Sequence, residues 1–125
     1  MEEKVLLFQI PEGELLSRIK LALSLVQVEA KLIKPEDFGK TIGALAGIPT
    51  APNQTVMFAS MLPEPMMVLC MPQSKLDAVL AALRNASVPP IAKAMLTPTN
   101  AGWTPGQLLT ELQREREEFR KMRKN

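Results

Sequence analysis

The side chains able to do chemistry fall in three places. In the first, Glu36 and Asp37 follow Pro35, Lys40-Thr41 comes next, and Gly43 and Gly47 lie just beyond. Carboxylates near a lysine are raw material for acid–base work. A carboxylate pair directly after a proline reads more simply as a helix's first turn, where acids meet the positive end of the helix dipole. The Lys-Thr step beside glycines has only a superficial likeness to a phosphate loop, in which Lys-Ser/Thr follows the glycines instead of preceding them. Backbone N–H groups at a short helix here would still suit an anion weakly.

The second place is MMVLCM (66–71), where Met66, Met67, Cys70 and Met71 form a soft-ligand cluster of the kind monovalent copper prefers. Alternation along a strand sends these side chains to opposite faces, so they do not all converge, and core packing accounts for them better. A thiol inside such a run is expected to be buried and inert. The chain has no His and no Tyr, so the commonest general base and the commonest nitrogen ligand are missing. No catalytic residue, metal or cofactor is implied.

The third place is LTPTNAGWTP (96–105), which holds the only Trp of the chain. On one reading it is a corner. Thr97 ends a strand, Pro98 stops pairing, and Asn100 with Gly102 turns the chain. Trp103 then precedes Thr104, an N-cap with Pro105 and Gln107 behind it in capping-box spacing, and staples onto Leu108. Burying most of an indole, ~200 Å² at ~25 cal/mol per Å², is worth roughly 5 kcal/mol before entropy, which explains the Trp without a ligand. On the other reading, Thr97, Asn100 and Trp103 line a pocket rim facing Gly43 and Gly47. The corner reading is preferred, and these five are the candidate ligand- or partner-binding residues.

The elements that would position these groups repeat. VLLFQI (5–10) is a short apolar run stopped by Pro11, the mark of a buried strand. Leu15, Leu16, Ile19, Leu23 and Val26 follow at helical spacing. VEAKLIK (28–34) alternates like a strand with one wet face. The order then recurs: MMVLCM stopped by Pro72; a helix with Leu76, Val79, Leu80 and Leu83 on one stripe and Ser74 as its expected N-cap; and IAKAMLT (91–97). Two strand–helix–strand units predict an α+β domain of the ferredoxin-like, split β-α-β kind (β-α-β-β-α-β), with the first and third strands central in an antiparallel sheet. A long insert at about 35–65 separates strands 2 and 3, and an extra C-terminal helix spans about 104–124. Within the insert, IGALAGIP (42–49) reads as a short helix and TVMFASML (55–62) as a further strand or lid.

Composition sets the outer bounds. The chain has 125 residues, 46% hydrophobic and 22% charged, which suits one globular domain over the full length. Its net charge of +2 sits entirely after Gln107, so the tail is basic and the rest neutral. That argues weakly for nucleic acid, and the central strands also lack the aromatics on which RNA-recognition domains stack bases. No apolar stretch is long enough to span a membrane, no secretory signal is visible, and a lone Cys fits a reducing compartment. The expected location is cytoplasmic.

VLLF, IGALAG and above all LTPTNAGWT resemble a bacterial family of small proteins known only as a domain of unknown function. The resemblance covers nearly the whole chain and implies a cytosolic stand-alone domain with no assigned activity; 55–62 is more apolar than the family leads one to expect. At fold level alone, the long loop between strands 2 and 3 is similar to that of nitrogen-regulatory signalling proteins of the P-two type.

These readings point to a non-catalytic binding or regulatory module, with a protein partner or small ligand at the insert. The alternative is a small enzyme with a carboxylate/Lys site there. Central strands apolar on both faces need cover on both, and neither insert nor tail clearly supplies it. A homodimer or larger homo-oligomer is therefore expected. The last helix should project beyond Leu112, where its apolar spacing thins.

Overall fold

Val5, Leu6, Leu7 and Phe8 are all fully buried, and four consecutive buried residues require a strand covered on both faces. The computed structural model describes residues 3–48 and 61–123. Strand β1 (Lys4–Phe8) leads through α1 (Glu14–Leu25) to β2 (Glu29–Ile33), which lies parallel to β1. Next come a 3₁₀ turn at Pro35–Asp37 and the short helix α2 (Ile42–Leu45). The second unit, β3 (Met66–Cys70), α3 (Gln73–Asn85) and β4 (Ala92–Met95), again has parallel strands. A 3₁₀ turn at Asn100–Gly102 then precedes α4 (Pro105–Arg123).

The α+β class, the four-stranded sheet and the central place of β1 and β3 stand. The connectivity inside the sheet differs from the split arrangement. The strand order is β2-β1-β3-β4, so α1 and α3 each join neighbouring strands, and the sheet is mixed, antiparallel only between β1 and β3. A helical crossover between adjacent parallel strands is the ordinary β-α-β unit. Two of them meet back to back.

The units end their helices alike. Gln27 and Ser87 both have φ of 60°, and the amides of Val28 and Val88 reach back to Leu23 O at 2.9 Å and Leu83 O at 3.0 Å. This is the left-handed C-terminal motif that satisfies helix-end carbonyls and packs the following apolar residue onto the last turn. The start of α3 differs from expectation: Pro72 is the N-cap and Ser74 lies inside the first turn, because extended Pro72 launches the helix before Ser74 is reached.

One face of the sheet presents Val5, Leu7, Met67 and Leu69 to Ile19, Leu23, Val79 and Leu83 of α1 and α3. The other presents Leu6, Phe8, Met66, Val68 and Cys70 to Phe38, Ile42, Leu45, Leu62, Leu108 and Leu109. Met66 and Cys70 thus face away from Met67 and Met71. Insert and last helix together cover the second face within one chain, which removes the bare sheet as a reason for self-association. Within the insert, Leu62 is buried, whereas 49–60, most of the expected strand or lid, lie outside the described residues. From Arg114 to Arg123 every residue of α4 is exposed, so the helix does project.

Candidate functional site

The corner at 97–104 is a hydrogen-bonded knot. Thr97 N donates to Asn100 Oδ1 at 2.9 Å, Asn100 N to Thr97 Oγ1 at 3.1 Å, and Asn100 Nδ2 to Met95 O at 2.9 Å. Asn100 is buried, and both polar ends of its side chain are spent on the turn. The amide of Ile42 donates to Trp103 O at 2.8 Å, which ties the corner to α2, itself capped by Thr41 Oγ1 accepting from Ala44 N at 3.2 Å. Thr104 N donates to Gln107 Oε1 at 2.9 Å and Gln107 N to Thr104 Oγ1 at 3.4 Å, the reciprocal capping box that the sequence spells. Trp103 packs half-buried against the second core.

Thr97, Asn100 and Trp103 also line a shared cleft of about 390 Å³ with Lys93, Leu108 and Glu111. Gly43 and Gly47 do not join it. Gly43 is buried in α2. Gly47 follows at the helix end with φ of 83°, where an added Cβ would lie 3.8 Å from Lys4 Nζ. The lysines there serve the fold: Lys4 Nζ donates to Ala46 O at 3.1 Å and Lys31 Nζ to Leu45 O at 2.6 Å, placing positive charge at the negative end of α2.

A larger cleft, about 650 Å³, opens where the parallel strands β1 and β2 end. Its walls include Ile10, Pro11, Leu32, Phe38, Met61 and Pro65. Leu32 is 41% exposed and Met61 63%. The polar lining is Gln9, Glu12 and Lys34. Gln9, at φ 57°, is already engaged, because its amide accepts from Leu62 N and donates to Leu62 O. Ligands of open sheets with parallel strands gather outside the strands' carboxyl ends. Reasoning from sequence missed this cleft, since its walls come from three distant segments. One signal was present: Leu32-Ile33 breaks the alternation of β2, so one of the two must face outward.

The carboxylate/Lys group of the insert does not converge on either cleft. Asp37 pairs with Lys40 at 2.9 Å, and Glu36 is exposed. Cys70 is buried, and burial pushes its thiol up to about 11, well away from thiolate chemistry at neutral pH. Among the described residues no group of three or more His, Cys, Asp or Glu is placed to hold a metal ion, and no helix is long and apolar enough to cross a membrane.

The corner and its cleft belong to a segment that also stands out by comparison. Residues 65–119 match a domain of unknown function, DUF3783. The DUF3783 segment takes in β3, α3, β4, the corner and α4 as far as Phe119. LTPTNAGWT falls inside it; VLLF and IGALAG fall outside. No curated protein and no solved structure matches the chain.

Proposed function

We propose that this chain is a non-catalytic binding module whose ligand is apolar and sits in the cleft at the ends of β1 and β2. The observation that carries this reading is the cleft's lining. Leu32 and Met61 are exposed beside Ile10 and Phe38, in a volume of about 650 Å³, within the usual range for small-ligand sites. An enzyme would bring several titratable groups together in its cleft. Among the described residues Glu12 and Lys34 are the only charged groups in the lining, and Glu36 and Asp37 of the insert do not line it. Met61 suits such a site because its flexible thioether adapts to varied partners. A cytoplasmic setting fits the single, buried thiol.

Native mass spectrometry of gently purified protein, followed by titration with an environment-sensitive apolar dye, tests this reading. Wild-type protein should carry a co-purifying ligand or bind the dye saturably, and Leu32→Glu should abolish binding while leaving the urea midpoint nearly unchanged. Dye binding that survives Leu32→Glu, or a large loss of stability in that variant, would show that the cleft is not the site.

A further inference from the structure

A third cleft, of about 380 Å³, lies between the end of α3 and the outer strand β4. Among the described residues its lining includes the apolar Leu80, Val88, Pro89 and Pro90 and two cations, Arg84 and Lys93, and no carboxylate. Elsewhere the arginines have visible tasks. Arg18 pairs with Glu14, Arg114 with Glu111 and Glu118, Arg116 with Glu64, and Arg120 with Glu117, while Arg123 lies over the ring of Phe119. Among the described residues Arg84 has no carboxylate or aromatic partner. Its position in the last turn of α3 gives it a favourable dipole and nothing more.

Lys93 is odder. It stands mid-strand in β4, half-buried, with one hydrogen bond, from Nζ to Ile91 O at 3.0 Å. An ammonium has three donors, so two remain for a guest. Burial pushes its pKa down, and among the described residues no carboxylate pairs with it. A half-buried cation such as Lys93 without a counter-charge is costly unless an anion completes it, and the exposed Arg84 beside it is free to turn toward the same anion.

We propose that the α3–β4 cleft binds a small organic carboxylate, its anionic end held by Arg84 and Lys93 and its apolar body lying on Leu80, Val88 and the two prolines. The planar guanidinium matches a carboxylate through two parallel N–H donors, and the ammonium adds a point charge. The apolar walls favour a carboxylate with a hydrocarbon body over a bare inorganic anion. This site is separate from the cleft at β1 and β2 and holds independently of it.

The test is titration of the full chain with hexanoate, with hexanamide as the uncharged isostere and inorganic phosphate as the bare anion, followed by side-chain NMR of Lys93 and by calorimetry. Hexanoate should bind saturably, at least tenfold tighter than hexanamide and phosphate, and should raise the Lys93 pKa. Arg84→Gln and Lys93→Met should each weaken it about tenfold or more with melting curves preserved, whereas Leu32→Glu should leave it intact. Equal binding of hexanoate and hexanamide would overturn the proposal. So would phosphate binding more tightly than hexanoate, or hexanoate affinity unchanged in both cleft variants.

Discussion

At the scale of single residues, Asn100 and Trp103 exchange the ranks that sequence reasoning assigns them. The lone Trp of the corner draws attention first, and a turn Asn is worth about 1 kcal/mol in the ordinary case. In the fold, however, Trp103 is only half-buried, while buried Asn100 both accepts from Thr97 N and donates to Met95 O. Removing its side chain leaves the part-buried Thr97 N–H and Met95 carbonyl without that partner, at a cost of about 1–3 kcal/mol each where water does not reach them. Asn100→Ala should therefore cost roughly 2–4 kcal/mol and Trp103→Ala about 2 kcal/mol, the latter reduced from the full-burial figure. Urea melts of the two variants check this. An Asn100→Ala loss under about 1 kcal/mol would mean that water replaces the side chain without penalty. The capping box was legible because its residues lie within one turn. The bond from Ile42 to Trp103 was not, because only the fold brings the insert to the corner.

At the scale of elements, the twin helix ends make a quantitative test. Gln27 and Ser87 hold φ of 60°, a conformation that disfavours side chains with a Cβ and suits glycine. Relief of that strain exceeds the entropy glycine adds to the unfolded chain, so Gln27→Gly and Ser87→Gly should each stabilise by about 0.5–1 kcal/mol. Thermal melts of both single variants and the double decide it, and a destabilised double variant would show that the side chains do more than occupy the turn. The last helix gives a pH-dependent case. Glu64 accepts from Arg116 and Gln113, and the Arg116 hydrogen bond, followed by that of Gln113, holds its carboxyl below 4.5. A depressed folded pKa contributes stability that is complete above the unfolded value and is lost as pH falls through the folded one. Partial exposure limits the effect to under about 1 kcal/mol. Glu64→Gln should thus be less stable than wild type at pH 7 and converge with it as pH falls through the lowered pKa of the folded carboxyl. A constant gap across that range would remove the ion pair as the cause.

Across the whole molecule, the two strand–helix–strand units were legible from their apolar runs and prolines, but their assembly was not. A split sheet and two back-to-back units both bury the first and third strands, so both produce the same hydrophobic pattern; only pairing partners far apart in sequence separate them. The observed assembly has a consequence for the DUF3783 segment. In the central pair Leu6 lies opposite Val68, and these residues occupy matching places in the two units. An approximate two-fold axis therefore passes between β1 and β3. Residues 65–119 alone would lose β1 from one side of β3, α1 from α3, and Phe8, Phe38, Ile42 and Leu62 from the second core. A piece of that size, with half a core and a bare central strand, should not fold as a monomer. A second copy can replace what is missing, since β3 paired antiparallel with another β3 about Val68 would rebuild a four-stranded sheet of the order β4-β3-β3-β4. The expected result for a 65–119 fragment is a folding transition whose midpoint rises with protein concentration, with a dimer by sedimentation wherever it is folded. A cooperative melt at monomer mass, independent of concentration, would show that α4 and the corner suffice to close the second unit, and that the pairing of β1 with β3 is dispensable for its fold.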